Sequence, residues 1–334
     1  MAVEIEMTEA ESQSRADQME DVFSDEGQAA SINLVGHALA ELAERHPEVV
    51  VLSADLGSSL TEFRERHPGR YIELGIAETN AISVAAGMAA SGLRPYVLGF
   101  APFGMIKCAE QIRTDLAATE MPVTLITRLS GLAMGYFGAS HHAIEDIAIA
   151  RAINNFEIMT PADNNAAVAA IELSHARARP SLIRVSEGRA TVYPTVPTLE
   201  PGRSAPLRAG TDVAIMGVGI GTGLALEASA VLAERGISAA VHDFPFIAPF
   251  DAAAVVEAAR STRAIVTVEE HNRIGGLYSC VAEALVDARV SVPVVSVALP
   301  DEHLEVGTHY DLLDHYGISA NGIVDSALRA LSLG

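Results

Sequence analysis

The sequence predicts an α/β fold made of two doubly wound domains. Two observations predict it: helical apolar repeats alternate along the chain with short β-rich apolar runs, and a proline-rich stretch divides this alternation into two blocks. Such alternation is typical of parallel sheets covered by helices on both faces. With 334 residues, 49% of them hydrophobic, the composition suits a folded protein of more than one domain.

The first block contains three predicted helices and four predicted strands. Apolar residues recur at helical spacing over 31–45, and the all-apolar run over 49–52 predicts a buried strand. The same criteria give the remaining elements: a strand over 71–74, a helix over 79–90, a strand over 95–98, a helix over 104–118 and a strand over 123–127.

The ends of this block are marked by composition. Residues 1–27 carry nine acidic side chains and one basic one, with few large apolar residues, so we predict a disordered acidic leader there. Four prolines lie between 189 and 207, which is typical of a linker. We therefore predict a first domain over 28–192 and a linker over 193–207.

The second domain, predicted over 208–334, repeats the α/β pattern. Its predicted strands and helices are strands over 213–216, 238–242 and 264–268, and helices over 224–235 and 277–288. Between its first strand and helix, the run Gly217–Gly223 resembles a dinucleotide-binding loop, but the G-x-G-x-x-G spacing fails, so nucleotide binding is disfavoured.

The net charge and the small number of lysine and cysteine residues disfavour several functions. The chain has 22 basic and 43 acidic residues, a net charge of −21, which disfavours nucleic-acid binding. Lys107 is the single lysine, and its context suits neither a phosphate-binding loop nor a Schiff base. Cys108 and Cys280 lack the spacing of a zinc site, and no stretch has the pattern of a signal peptide or membrane span, so we expect a cytoplasmic protein without a membrane partner.

Glu78 is the first candidate for chemistry. It lies in Gly75–Asn80, just before a small-residue helix, and so at the carboxyl edge of the predicted sheet, where open α/β sheets bind ligands. Taken alone, an acid in the first turn of a helix would simply complement the helix dipole. The motifs that follow it change this interpretation.

Several motifs in order resemble the transketolase family. They are Gly75–Asn80, Gly99–Phe103, Glu110–Arg113, Ser140–Asp146, Met159–Asp163, Arg184–Arg189 and Val268–His271 with Gly275 and Gly276. The resemblance extends from about residue 30 to the C-terminus. It implies a pyrimidine-binding domain over 28–192 and a transketolase C-terminal domain over 208–334.

The family's pyrophosphate domain, with its metal-binding GDG motif, has no counterpart in these 334 residues. The resemblance thus implies the C-terminal component of a split transketolase that uses thiamine diphosphate to transfer a two-carbon ketol unit from a ketose-type donor to an aldehyde-type acceptor. We expect an N-terminal partner subunit to ligate Mg²⁺ or another divalent ion, in an α2β2 assembly. No metal ligand is predicted in this chain.

The resemblance assigns cofactor roles to five residues. Glu78 would hydrogen-bond N1′ of the aminopyrimidine and drive proton transfer, a role suited to a buried carboxyl group. Phe100, Phe103 and Ile106 would line the pyrimidine, although core packing is the ordinary role of such side chains. Asp55 matches a family acid near the cofactor, with a helix cap as the alternative.

The substrate pocket combines family residues with departures. His141 matches the substrate-contacting, catalytic histidine, and the role of His142 stays open. Phe137 replaces an aspartate that contacts substrate, which predicts altered discrimination among hydroxyl groups. Arg184 and Arg189 are candidate substrate residues, but an ungapped alignment puts Glu187 where sugar-phosphate enzymes have a phosphate-binding arginine.

Two other positions bear on the substrate. Leu129 stands at the family's phosphate-site histidine, beside Arg128, which also points to a non-standard head group. His271 and the segment 301–303 are predicted to be structural. Two alternative functions stay open: the β-subunit of a 2-oxo acid dehydrogenase, which the Ser140–Asp146 segment disfavours, and a regulatory subunit without catalysis, which Glu78 disfavours.

Overall fold

The computed structural model of the chain describes residues 26–188 and 190–333, with side chains from Leu34 onward. Residues 1–25, which make up most of the predicted leader, and Arg189 lie outside the described residues. In the first half of the chain the helices are α1 Glu26–Arg45, α2 Thr61–Arg66, α3 Glu78–Ala90, α4 Ala109–Gln111, α5 Asp146–Arg151 and α6 Asn164–Arg177. The strands there are β1 Val49–Ser53, β2 Tyr71–Glu73, β3 Arg94–Phe100, β4 Thr124–Arg128, β5 Glu157–Met159 and β6 Ser181–Arg184.

The second half of the chain continues the alternation. Its strands are β7 Ala205–Arg208, β8 Val213–Gly217, β9 Ala239–Asp243, β10 Phe246–Ala248, β11 Ala264–Asn272 and β12 Val294–Leu299. Its helices are α7 Ile220–Glu234, α8 Ala252–Ser261, α9 Leu277–Ala288, α10 His309–His315 and α11 Ala320–Ser332. None of the helices in the described ranges combines the length and the hydropathy that a bilayer crossing requires.

The strands form two sheets, and the predicted α/β fold is confirmed. The first sheet has the order β10-β5-β6-β4-β3-β1-β2 and the second has the order β12-β11-β8-β9-β7. The neighbouring strands are parallel, as predicted, except at two edges, where β10 beside β5 and β7 beside β9 are antiparallel. Each of these edge strands is only three or four residues long and pairs with a distant segment, so the local pattern did not reveal it.

Helices cover both faces of each sheet, and the buried side chains form three clusters. One cluster of buried side chains packs α1 and α6 against the first sheet, and another packs α7 and α11 against the second. A third cluster contains Leu52 and Leu125 of the first sheet together with Met216 and Ile265 of the second. Since this cluster belongs to both sheets, the two domains are packed through a continuous apolar interface.

The helix predicted over 104–118 is replaced by a more irregular segment. π-Helical turns span Pro102–Ile106 and Ile112–Ala117 on either side of α4. The N–H of Lys107 donates to the carbonyl of Pro102 at 3.1 Å, the five-residue spacing that defines a π-turn. Such turns accommodate an extra residue and often lie at functional sites.

The glycine-rich run between β8 and α7 has a packing role. Gly219 has a φ of +53°, in the left-handed region that favours glycine. A Cβ on Gly221 would lie 2.6 Å from the carbonyl oxygen of Val268. Close packing of α7 against the second sheet therefore accounts for glycines that resembled a nucleotide-binding loop.

Candidate active site

The candidate site lies at the carboxyl edge of the first sheet. Asp55 follows β1, Glu78 begins α3 after β2, and Phe100 is the last residue of β3. Because β1, β2 and β3 are parallel neighbours, their carboxyl ends bring these three residues to one edge. The sheet topology therefore assembles residues that are 45 positions apart in the sequence.

Glu78 is a buried carboxylate with a cationic partner. Its residue is 3% exposed, and its Oε2 accepts a hydrogen bond from Nζ of Lys107 at 3.0 Å. The Lys107 side chain is 50% exposed, so one end of this ion pair faces solvent. No role for Lys107 was predicted from the sequence.

Glu73 organises the loop that leads to Glu78. Its Oε1 accepts hydrogen bonds from the N–H groups of Asp55 at 3.1 Å and Gly75 at 2.9 Å, and its Oε2 accepts one from Tyr71 Oη at 2.6 Å. Burial alone would raise the pKa of Glu73, but these hydrogen bonds hold it below its usual range. Glu73 thus fixes the exposed Asp55, whose φ is +60°, relative to the start of α3.

Three aromatic side chains and His141 form a connected wall at the same edge of the sheet as Glu78. The rings of Phe100 and Phe103 meet edge to face at 6.4 Å between centroids, and Phe103 meets His141 in the same way at 5.1 Å. Phe137 stacks on His141 at 4.5 Å and is 43% exposed. The structure therefore brings together four residues that the sequence predicted separately for the cofactor and the substrate.

His141 is a half-buried imidazole held by its neighbour. Its Nδ1 lies 2.9 Å from Oγ of Ser140. Burial lowers the pKa of His141, so the ring is neutral at pH 7. His142, whose role was left open, is buried, and its Nε2 has no hydrogen-bond partner among the described residues. Ile106 is half-buried at the end of the first π-turn.

Arg184 lies in the interior and is not in the open part of the site. It is 2% exposed, and its Nε donates to Oδ2 of Asp146 at 2.8 Å. Its Nη2 donates to the carbonyl oxygens of Ala143 at 3.2 Å and Glu270 at 3.0 Å. These contacts join β6 to the loop before α5 and to β11 of the second sheet, and they favour a structural role over the predicted contact with substrate.

Glu187 is also buried, in an ion pair with Arg128. Its Oε1 accepts from Nη2 of Arg128 at 2.7 Å and from Nε at 3.1 Å, and both side chains are almost fully inaccessible. Pairing with Arg128 offsets the charge of this carboxylate, so Glu187 does not face a substrate as an isolated negative charge. The predicted substrate residue Arg189 lies outside the described residues.

A buried group of titratable side chains continues from Arg184 into the second domain. Glu269 accepts from the N–H groups of Leu277 and Tyr278 at the start of α9, and burial raises its pKa to about 7. His271 is fully buried, and burial lowers its pKa to about 4. This complete burial supports the structural interpretation of His271.

Both halves of the chain match domains of known proteins. Residues 28–191 match the transketolase pyrimidine-binding domain, and residues 202–323 match the transketolase C-terminal domain. One subunit of an apulose-4-phosphate transketolase from Phocaeicola vulgatus is 35% identical over 298 residues, which cover 87% of this chain and 94% of that protein. The chain belongs to the transketolase family.

Two other relatives of this transketolase-family chain differ in length. A 1-deoxy-D-xylulose-5-phosphate synthase from Syntrophotalea carbinolica is 34% identical over 305 residues, and the chain spans about half of it, 48%. A structure described as a split gene transketolase, inactive beta4 tetramer, is 37% identical with a TM-score of 0.84, covering 91% of this chain and 98% of that one. The match to a whole split-gene chain confirms the resemblance stated above.

The transketolase family depends on thiamine diphosphate, and the site can be tested against that cofactor. A buried carboxylate at a helix start, next to an aromatic wall, fits the aminopyrimidine end, which presents ring nitrogens and a flat apolar face. The diphosphate end needs a divalent ion. In the described ranges, two groups of side chains have metal-ligating geometry. One is His46, Glu48 and His175, and the other is His37, Glu41 and Glu62. Neither group belongs to this site.

Proposed function

We propose that this chain is the subunit of a split transketolase that binds the aminopyrimidine of thiamine diphosphate and transfers a two-carbon ketol unit to an aldehyde-type acceptor. The observation that carries the proposal is the buried Glu78 carboxylate beside the wall of Phe100, Phe103 and His141. Each of these residues has the chemistry that its family position requires. The architecture of the chain, a pyrimidine-binding and a C-terminal domain, supports a role as one of two components.

Thiamine diphosphate, when bound, supplies the electron sink for the transferred unit. In this chain, Glu78 would hold a ring nitrogen of the aminopyrimidine and exchange a proton with it, and its burial would keep water away from that exchange. Phe100 and Phe103 hold the ring by apolar contact and exclude solvent. The Nζ of Lys107 balances the charge of Glu78 before the cofactor enters.

The substrate side of the site is formed by His141 and Phe137. Ser140 contacts Nδ1 of His141, which leaves Nε2 as the ring atom that would contact the substrate oxygen at the reacting carbonyl. Because this imidazole is neutral at pH 7, it donates or accepts a hydrogen bond without adding charge. Phe137 presents an apolar surface beside it, which favours a ketose that lacks a hydroxyl group at that position.

A partner chain is expected to supply the diphosphate and metal site, in an α2β2 complex with Mg²⁺ or another divalent ion. The split-gene relative, whose β4 tetramer is inactive, supports this dependence. A cytoplasmic location and small-molecule substrates complete the proposal, and the net charge of −21 supports such substrates over nucleic acid.

The function is tested by a transfer assay with and without the partner chain. The chain should be mixed with a co-purifying chain, thiamine diphosphate, Mg²⁺ and an aldehyde-type acceptor, and apulose 4-phosphate, the substrate in the name of the Phocaeicola relative, is the first donor to assay. We expect a donor product two carbons shorter and an acceptor product two carbons longer only from the complete mixture. Transfer by this chain alone, or acyl transfer to lipoamide from a 2-oxo acid, would contradict the proposal.

Phe137 provides a test of specificity. The Phe137→Asp variant places a hydrogen-bond acceptor next to His141. We expect kcat/KM for xylulose 5-phosphate to rise about tenfold relative to kcat/KM for the donor that the unmodified chain uses. The reason is that a well-formed hydrogen bond to a charged group contributes about 1.5–3 kcal/mol. Phe137→Leu is the matched control and should leave the ratio unchanged. An identical ratio in the aspartate variant would exclude Phe137 as a specificity residue.

A further inference from the structure

A second group of functional side chains lies at the edge of the first sheet opposite the candidate active site. His46 follows the last residue of α1, Glu48 directly precedes β1, and His175 is in the last turn of α6. Asp55, by contrast, follows the other end of β1. A five-residue strand spans about 16 Å, so the two sites are separated by the length of the strands.

The three side chains point their ligating atoms at one another. Glu48 Oε1 lies 3.6 Å from Nδ1 of His46 and 3.6 Å from Nε2 of His175. All three ligand atoms lie within 4.8 Å of one another. Ligands at about 2.0–2.2 Å from a tetrahedral zinc ion are separated by roughly 3.3–3.6 Å, so two of the three spacings already fit.

The remaining spacing can adjust without disturbing the core. The side chains of His46 and Glu48 are about one-third exposed, 35% and 36%, while that of His175 is 11% exposed. The two imidazole rings lie 4.0 Å apart at a tilt of 43°. His175 Nδ1 has no hydrogen-bond partner among the described residues, so no second bond fixes the rotation of that ring.

The surrounding charges and helix ends on balance favour a cation. α1 and α6 both end at this group, and the carbonyl ends of helices attract positive charge. Arg94 of β3 donates to the carbonyl oxygen of His175 at 2.9 Å and opposes a cation, but Arg45 is paired with Glu172. The negative charge of Glu48 faces the two imidazoles and favours a cation between them.

We propose that His46, Glu48 and His175 bind one divalent ion of the zinc class, with water completing the coordination. Two imidazoles and one carboxylate favour Zn²⁺ over Mg²⁺, which prefers oxygen ligands. The ion joins α1, the start of β1 and the end of α6, and so stabilises the first domain. This site is independent of the ion expected beside the cofactor.

The other cluster, His37, Glu41 and Glu62, supplies the control. Both of its carboxylates already accept hydrogen bonds from Nη1 of Arg66 at 2.7 Å. A guanidinium in this position competes with a metal for the same oxygens. We therefore assign no metal to that cluster.

The test is a calorimetric titration of the metal-stripped full chain with Zn²⁺ alone. We expect one site in the native chain, and binding about tenfold weaker or worse in His46→Gln, Glu48→Gln and His175→Gln, since even loss of an outer partner costs 10–100-fold in affinity. His37→Gln should bind like the native chain, and millimolar Mg²⁺ should not displace the zinc.

The outcome does not depend on His175, the least exposed of the three side chains, alone. If circular dichroism shows that His175→Gln is misfolded, the two more exposed variants decide the question. Native-like zinc affinity in both His46→Gln and Glu48→Gln, or no binding by the native chain, would overturn the proposal.

Discussion

Replacing Glu78 with glutamine is expected to reduce turnover by the assembled enzyme about 10²–10⁴-fold, the range that positioned proton transfer contributes. The amide keeps the size of the side chain and can still hydrogen-bond, but it cannot exchange a proton with the aminopyrimidine. Because Glu78 is 3% exposed, water cannot readily take its place. The measurement is kcat with saturating donor, cofactor and partner chain.

The same variant should remain folded. Its ion pair with Lys107 is lost, but Lys107 is half exposed, so its ammonium group stays solvated and is not left buried without a partner. Glu110→Gln is the matched control, since that carboxylate is 63% exposed and pairs with Arg113 on the same helical segment. Full turnover by Glu78→Gln would show that this chain does not supply the catalytic carboxylate, and the regulatory alternative would then be favoured.

Replacing Arg184 with methionine is expected to destabilise the chain by about 3–5 kcal/mol, measured by urea unfolding. Methionine fills much of the volume, but it leaves the fully buried Asp146 without its cationic partner. The carbonyl oxygens of Ala143 and Glu270 lose a donor as well. Most of the loss should come from the unpaired carboxylate, so adding Asp146→Leu should recover part of it.

Arg113→Met is the control for this prediction. Arg113 is 61% exposed and pairs with a neighbour on its own helical segment, so its loss should cost less than about 0.5 kcal/mol. If Arg184→Met unfolds at the native urea midpoint but raises KM in the assembled enzyme, the substrate role predicted from the sequence is correct and the structural role is wrong.

Local patterns predicted the α/β class and seven of the twelve strands that the structure describes. The helix over 277–288 has the predicted bounds, and most of the other predicted helices and strands lie within a few residues of those observed. The edge strand β10 was missed because it is three residues long and pairs Phe246 with Met159, 87 positions away. Periodicity describes one segment at a time, so it cannot reveal such a pairing.

The candidate site was predicted less evenly. Glu78, Phe103 and His141 were found through motifs, and the structure brings them to one edge of the sheet. Lys107 was missed because its partner, 29 positions away, lies on another helix. The buried pair of Arg128 and Glu187 was also missed. These two residues are far apart in the sequence, and only the packing of β4 beside β6 brings them together.

We propose that this chain holds only the aminopyrimidine end of thiamine diphosphate. This proposal is tested most directly by measuring thiamine diphosphate bound to the chain alone and to the complex with its partner, by equilibrium dialysis with Mg²⁺ present. We expect one cofactor for each pair of chains in the complex and no stable binding by the isolated chain. Stoichiometric binding by this chain alone, or a complex without cofactor, would contradict the account.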